Sequence, residues 1–412
     1  MKNPPNRIIH IGYLCATLLC LSACSDGDSP KDVIDDVLDL IGDSSFSSVA
    51  SANTTFGFKL LKDLQKRQPD ANIMISPLSV SIALTMTNNG AAGETQRAIA
   101  EVLEIEDLGI DTVNRANTAL RNSLENTGTK VEIAIANSIW SRQGVVFNPS
   151  FLERNREFYE AEIESLNFND PQAPEVINGW VETNTNGKIK QIVQRIDPRT
   201  LIVLINAIYF KGSWQKEFNK SATRDGTFYL SNGSEKQVPM MYRKGAYPYF
   251  RGSNFEAARL PYGDGEVSMY VFLPNRDSNL DGFIEQLNAE NWSEWMSQFR
   301  ERADDDSEMI LPRFKLEYKV KLNDTLEALG MGIAFGGGAD FSGMGPQLFI
   351  SEVRHKTIIE VNEEGTEAAA VTAVFGIESA PPVFRVDRPF FFAIHDDRTQ
   401  TILFMGIVME PM

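Results

Sequence analysis

The order of hydrophobic and polar positions predicts helices early in the chain and mainly strands later. From Thr55 the apolar residues Phe58, Leu60, Leu61 and Leu64 recur at helical spacing. A short apolar strand follows at 72–75. Glycine and proline positions then predict further helices. One begins at Pro77, and the others cover 93–103, 111–125, 149–161, 174–185, 280–287 and 292–299.

Strand patterns dominate the rest of the chain. In 130–142 the apolar residues alternate, which places Val131, Ile133, Ile135 and Ile139 on one face. The range 201–210 is almost unbroken apolar sequence, which is typical of a strand buried on both faces. Further strands are predicted between 226 and 274 and over 308–315, 349–359, 384–394 and 401–409. Because helices and strands do not alternate regularly, the pattern predicts an α+β fold.

One segment, 361–384, has the composition of a strand that need not form. Gly365 follows two carboxylates, and the next eight residues are small or β-branched. Pro381 and Pro382 then prevent any strand ladder from continuing. With period two, Glu367 faces water while the narrow side chains of Thr366, Ala368, Ala370 and Thr372 face the other way.

Several sequence blocks resemble the serpin family, in the family's order over roughly residues 50–412. NEEGTEAAA at 362–370 resembles the hinge of the reactive loop of inhibitory serpins, and FRVDRPFFFAI at 384–394 resembles the C-terminal signature. Other similar blocks are NIMISPLSV at 72–80, GAAGET at 90–95, NGWVET at 178–183, LINAIYFKGSW at 204–214 and LPRFK at 311–315. The resemblance implies the serpin fold: a large, mainly antiparallel central sheet, further sheets, about eight to nine helices and an exposed reactive loop at 364–384.

The resemblance also implies a mechanism. A protease attacks the reactive loop and forms an acyl-enzyme, and the cut loop enters the central sheet and traps the protease covalently. The expected activity is therefore inhibition of serine-type proteases, with cysteine proteases as a further class, and the protein is not an enzyme. The alternative from another class is a non-inhibitory cell-surface binding protein with the same fold.

Specific residues receive roles from the resemblance. The hinge comprises Glu363, Gly365, Thr366, Glu367, Ala368, Ala369 and Ala370. Ser76, Ser79, Asn206 and His355 match the shutter, where side-chain hydrogen bonds hold the central sheet closed but able to reopen. Trp214 matches the breach tryptophan at the top of that sheet.

The attacked bond has two candidate positions. Counting from the hinge gives Ser379-Ala380, and counting back from the two prolines gives Glu378-Ser379. Nearby, Phe375 and Ile377 are apolar residues that chymotrypsin-like, elastase-like or subtilisin-like proteases prefer to cleave after, and they are called the bait residues below. Trypsin-like proteases are disfavoured because no Lys or Arg lies between Gly365 and Phe384. Because Glu378 is at one of the two candidate bonds, a Glu-specific protease stays an open alternative as the target.

Charge narrows the range of partners. The chain has 39 Lys plus Arg against 56 Asp plus Glu, a formal net charge of −17 at pH 7. An acidic surface repels nucleic acid and anionic membranes, so neither is an expected partner. The expected protein is a monomer that meets proteases and contacts a membrane only through a lipid anchor.

The N-terminal sequence predicts export. Lys2 and Arg7 precede an apolar run over 8–21, which is short for a membrane span of about 20 residues. Leu21-Ser22-Ala23-Cys24 resembles a bacterial lipobox, which implies cleavage before Cys24 and lipid on its sulfur. The domains expected are a signal peptide (1–23), a flexible tether (24–52) and a serpin domain (53–412). The expected location is the cell envelope, at the outer membrane or the cell surface. A plain secretory signal is the alternative.

Other chemistry has little support in the sequence. The cysteines are Cys15, Cys20 and Cys24, so a chain cut before Cys24 and lipidated there keeps no free thiol for disulfides or thiolate metal sites. After the signal only His355 and His395 remain, without a G-x-S-x-G or HExxH motif. The sequence therefore predicts no cofactor and no metal.

Overall fold

A computed structural model describes residues 44–125, 130–301, 306–364 and 383–411. Within these ranges the helices, numbered along the chain, are α1 (Ser44–Arg67), α2 (Pro77–Asn88), α3 (Gly93–Val102), α4 (Ile110–Glu125), α5 (Pro149–Tyr159), α6 (Ala173–Asn184), α7 (Leu280–Glu285), α8 (Ala289–Gln298) and the short α9 (Asn323–Leu326). Short 3-10 or π turns are Lys220–Ala222, Glu327–Met331 and Gly332–Phe335.

The strands form three sheets. The central five-stranded sheet has the order β12 (Phe314–Lys321), β13 (Glu352–Val361), β4 (Ile202–Gly212), β2 (Val131–Arg142) and β3 (Glu162–Leu166). A seven-stranded sheet has the order β1 (Ile73–Ile75), β16 (Thr401–Val408), β15 (Phe390–Asp396), β9 (Val267–Pro274), β8 (Phe255–Tyr262), β7 (Pro248–Arg251) and β10 (Arg300–Glu301). A four-stranded sheet has the order β14 (Val383–Arg385), β11 (Glu308–Pro312), β6 (Glu235–Lys244) and β5 (Arg224–Tyr229).

The central sheet combines antiparallel and parallel pairs. β12 pairs with β13 and β2 with β4 in antiparallel ladders. β13 and β4, in contrast, are parallel neighbours over the eight register positions from Glu352↔Val203 to Ile359↔Phe210. The prediction for 201–210 is confirmed, because every residue from Ile202 to Phe210 is buried. The predicted α+β class is likewise confirmed.

Two hydrophobic cores cover the two faces of the central sheet. The larger one includes α1, α2 and the seven-stranded sheet, in which β15 and β16 are buried along their whole length. A smaller core joins β4 to α6 through residues such as Ile177, Val181, Val203 and Ile205. The chain after α6 lies against the sheet as well, since the Nζ of the buried Lys356 donates to the carbonyl of Gln191 at 2.8 Å.

Several boundaries differ from the sequence prediction; among them, the strand predicted over 384–394 is two strands of different sheets, β14 and β15. The tether was expected to extend to residue 52, but α1 begins at Ser44. Phe46 and Val49 are buried and stabilise this first part of the helix. The sequence did not predict it, because the first turns are rich in serine, which is a weak helix former. The strand expected over 308–315 is two strands of different sheets, separated at Arg313. No helix within the described residues is long and apolar enough to cross a membrane.

Close packing at one glycine of β16 gives a stability prediction. A Cβ on Gly406 would lie 2.5 Å from the carbonyl oxygen of Ile73, so backbone would have to move. We expect Gly406→Ala to lower the free energy of unfolding by about 1–3 kcal/mol. The matched control is Gly179→Ala in α6, where nothing lies within 4 Å of the added Cβ. This control should gain about 0.5–1 kcal/mol. Urea denaturation measures both, and equal stability of the two variants would contradict the packing argument.

Candidate functional site

The segment singled out by the sequence begins at the end of the central sheet. β13 ends at Val361, described residues continue to Glu364, and the chain is described again from Val383 in β14. Of the predicted hinge, only Glu363 is within the described residues. Gly365, Thr366, Glu367, Ala368, Ala369 and Ala370 lie outside them, as do Phe375, Ile377, Glu378, Ser379 and Ala380 of the bait region.

The predicted shutter residues meet in one buried cluster. Asn206 of β4 and His355 of β13 are register partners in the parallel pair, and Nδ1 of His355 is hydrogen-bonded to Oδ1 of Asn206. Ser76 caps α2, and its backbone N–H donates to Nε2 of His355 at 3.2 Å. Asn206 also donates through Nδ2 to Oγ of Ser79. All four side chains are fully buried, so the shutter cluster (Ser76, Ser79, Asn206, His355) ties α2 to both strands of the parallel pair.

A fifth residue, Asn137, belongs to this cluster and was not predicted from the sequence. It lies on β2 as the register partner of Asn206 and accepts a hydrogen bond from Nδ2 of Asn206. A signal was present: Asn137 occupies the position on the alternating apolar face where Ile133, Ile135 and Ile139 predict another hydrophobic residue. A polar residue at such a position usually has a buried partner.

Burial keeps His355 neutral. Desolvation lowers the pKa of His355 from its ordinary 6.5 to about 3, while the hydrogen bond with Asn206 acts in the opposite direction. Since Nε2 accepts from Ser76, the proton of the neutral ring is on Nδ1, which donates to Asn206. Both ring nitrogens are thus engaged by a backbone N–H and an amide oxygen. This geometry is structural and differs from the base–hydroxyl contact of a serine hydrolase.

Trp214 holds the far end of the parallel pair. It stacks on Tyr262 with ring centroids 4.2 Å apart and an interplanar angle of 13°. Its Nε1 donates to the carbonyl of Asn362 at 2.8 Å. Asn362 directly follows β13, so this predicted breach tryptophan anchors the backbone where the hinge begins.

Glu363 provides a second anchor at the same end. Its buried carboxylate accepts hydrogen bonds from Arg313 and Thr223, each at 2.5 Å, and its carbonyl accepts from the N–H of Phe218 at 3.1 Å. Burial acts to raise the pKa of Glu363, but the bonds from Arg313 and Thr223 outweigh burial and the pKa is lowered. The carboxylate is therefore charged and paired at neutral pH.

The arrangement can hold a sheet closed and release it. Besides the backbone ladder, the β4–β13 pair is joined by the neutral side-chain hydrogen bond between His355 and Asn206, which can be exchanged for another when the strands separate. Among the described residues no cluster of His, Cys, Asp or Glu could bind a metal ion.

Comparisons with known proteins all identify one family. The family model described as Serpin (serine protease inhibitor) matches residues 51–411. The chain is 35% identical to Serpin B3 of Homo sapiens over 391 residues, which span 89% of this chain and 100% of that protein. It is also 35% identical to the leukocyte elastase inhibitor of Sus scrofa over 383 residues, 88% of this chain and 99% of that protein.

Solved structures agree in fold. The thermophilic serpin tengpin in its native state matches with a TM-score of 0.80 and 32% identity, covering 89% of this chain and 95% of that one. The thyroxine-binding globulin complex with thyroxine matches with a TM-score of 0.80 and 29% identity, covering 88% and 99%. The similar proteins therefore include both an elastase inhibitor and a thyroxine-binding globulin.

The buried histidine gives a pH prediction. In the unfolded chain His355 binds a proton below about pH 6.5, whereas in the fold it stays neutral until about pH 3. The unfolded state therefore gains protons first as the pH falls, and stability is lost across this window by up to about 1.4 kcal/mol per pH unit. We expect His355→Gln to flatten the loss of thermal stability between about pH 6.5 and about pH 5.

The control for this experiment is Ser79→Ala, which removes a shutter hydroxyl that does not titrate. Its loss of stability should be the same at both pH values, measured by circular dichroism melting. An unchanged pH slope in His355→Gln would show that His355 is not the titrating group.

Proposed function

This chain belongs to the serpin family, and we propose that it is a protease inhibitor that is cleaved in its reactive loop and traps the protease covalently. One observation carries the proposal: β13, from which the segment departs, pairs directly and in parallel with β4. A chain that turns back after β13 runs antiparallel to β13, and therefore also antiparallel to β4. Between the two parallel strands, one additional strand can therefore pair in the antiparallel direction with both of its neighbours.

The sequence of the segment suits that place. Thr366, Ala368 and Ala370 present a narrow face, which can enter beneath existing side chains without overpacking the core. About ten new ladder hydrogen bonds at roughly 1 kcal/mol each would contribute on the order of 10 kcal/mol. This gain is comparable with the whole stability of a domain, about 5–15 kcal/mol. Entry of the strand is therefore strongly favourable once a cut frees the loop.

The described residues on both sides of the segment are anchored. Trp214 holds the carbonyl of Asn362, and the pair Arg313–Glu363 holds the next residue. At the other end, β14 pairs with β11 from Val383 onward. A loop fixed at both ends cannot supply a full strand, whereas cleavage near Ser379 releases one end. Cleavage is therefore the trigger in this proposal.

The proposed targets follow from the bait residues. Phe375 and Ile377 suit chymotrypsin-like, elastase-like or subtilisin-like proteases, and the absence of Lys and Arg disfavours trypsin-like ones. The leukocyte elastase inhibitors among the relatives are consistent with an elastase-like target. The second candidate function is non-inhibitory binding, which the likeness to the thyroxine-binding globulin complex favours.

We also propose that the protein acts as a monomer at the cell envelope. Lipid on Cys24 would be its only link to the membrane, and residues 25–43 are rich in Ser, Asp and Gly, which suits a tether. The loop would then meet proteases outside the cell.

A protease panel with one loop substitution tests inhibition. The parent protein should form a complex with a panel member that survives denaturing gel electrophoresis. In Thr366→Arg the inserted strand would bury an unpaired charge, so we expect the ratio of complex to cleaved product to fall at least about tenfold. The matched control is Glu367→Arg, whose side chain faces water and should keep the complex. Mass spectrometry of the released C-terminal peptide identifies the attacked bond.

The outcomes of the panel separate the two functions. If no protease forms a complex with the parent protein, the non-inhibitory candidate is correct. If Thr366→Arg traps protease as well as the parent does, insertion of this segment is wrong as the mechanism.

Lipid anchoring is tested in a bacterium that processes lipoproteins. We expect labelled palmitate on the parent protein and its recovery with membranes, because the sulfur of Cys24 would carry the lipid. Cys24→Ala should lose both, whereas Cys20→Ala, which changes only the predicted signal peptide, should retain both. A palmitate label on Cys24→Ala would contradict the assignment.

A further inference from the structure

Four arginines surround a groove beside the point where the chain is described again after the reactive loop. The groove has a volume of about 490 Å³ and is lined by residues of β7, β8, β9 and β14 and the chain that follows β14. Its arginines are Arg251, Arg276, Arg385 and Arg388. The chain as a whole has a net charge of −17, so the four guanidinium groups contrast in sign with the chain's overall charge.

The charges of this arginine groove are only partly compensated. Arg276 and Arg388 both bind the buried carboxylate of Asp387, and Arg251 pairs with Glu256 at 2.6 Å. Arg385 is exposed, and its side chain has no hydrogen bond or ion pair to any residue in the described ranges, although its backbone belongs to the β14–β11 ladder. The side chain of Arg276 is 64% exposed despite its contact with Asp387. Asp277 is the remaining carboxylate of the lining.

Exposed apolar side chains lie in and beside the same surface. Val383, which lines the groove, is 41% exposed, and Tyr229 is 39% exposed. The guanidinium of Arg276 lies over the ring of Tyr229 at 5.5 Å, and the backbone N–H of Tyr229 donates to the carbonyl of Asp387 at 2.8 Å. Arginine and tyrosine are the residue types enriched at the energetic centres of protein interfaces.

The groove is within reach of any protease bound to the bait residues. Ala380 precedes Val383 by three residues and Phe375 precedes it by eight, which correspond to at most about 10 Å and about 28 Å of extended chain. A protease of about 240 residues has a radius of gyration of about 18 Å. Its surface therefore lies near the groove while its active site holds the loop.

We propose that the arginine groove, together with Tyr229, is a docking surface for an acidic patch on the target protease. The inference rests on the proposed inhibitory function and adds a determinant of protease choice outside the loop. Opposite charges at this distance from the cleaved bond attract the protease before the loop is engaged, which raises the association rate and selects among proteases of the same cleavage preference.

The test uses the proteases that the parent protein traps in the panel. The association rate is measured at low and high ionic strength for the parent, for Arg385→Glu and for Arg276→Gln. With a protease whose surface beside the active site is acidic, Arg385→Glu should associate about tenfold more slowly at low salt. The difference should shrink at high salt because ions screen exposed charges. Arg385→Lys, which keeps the charge, should stay within about threefold of the parent.

The matched control is Arg195→Glu, an exposed arginine that precedes β4 at the end of the central sheet opposite the hinge. It has the same effect on net charge and should leave the rate within about twofold of the parent. Tyr229→Ala should slow association at both salt concentrations, since an apolar contact is not screened.

Each result decides the proposal. Equal rates for Arg385→Glu and Arg195→Glu, with the covalent complex still formed, would overturn the docking surface and leave the inhibitory function intact. A parent protein that forms no complex would instead refute the inhibitory function. If Arg385→Glu is slower only when heparin is added as a polyanion probe, the groove binds polyanions and the protease-docking proposal is wrong.

Discussion

The direct parallel contact between β4 and β13 is the constraint on which the rest of the structure depends. It closes the central sheet with fewer favourable ladder contacts than an additional antiparallel strand would provide. Asn206 and His355 stabilise the contact from within, and Trp214 and Glu363 fix the chain at its end. These contacts bridge elements far apart in sequence, so the closed sheet depends on tertiary rather than local interactions.

Electrostatics divides these contacts into two kinds. The shutter cluster is neutral, because burial keeps His355 uncharged, and its bonds can therefore be rearranged without moving a charge out of water. The anchor at Glu363 is an ion pair that also satisfies Thr223. Removing one partner of such a pair leaves a buried charge, so the anchor resists change more strongly than the shutter cluster.

Sequence patterns predicted most of the elements, because these depend on local periodicity, whereas the residues of the shutter cluster were assigned from the resemblance to the serpin family. The patterns missed features created only by register or packing. Asn137 joins the cluster through its strand partner Asn206, and α1 starts at Ser44 because Phe46 is buried against distant elements. The arginine groove draws its residues from positions 251 to 388, and no motif unites them. The reactive loop stays a prediction, since residues 365–382 lie outside the described ranges.

The position of β15 and β16 has a consequence for the two pieces that a cut would produce. The peptide that follows the attacked bond contains both strands, which are buried at the interior of the seven-stranded sheet and paired with β9 and β1. Its apolar surface cannot leave without dismantling that sheet. Cleavage of the backbone therefore does not dissociate the two fragments. They stay associated in native solution and separate only in detergent or denaturant.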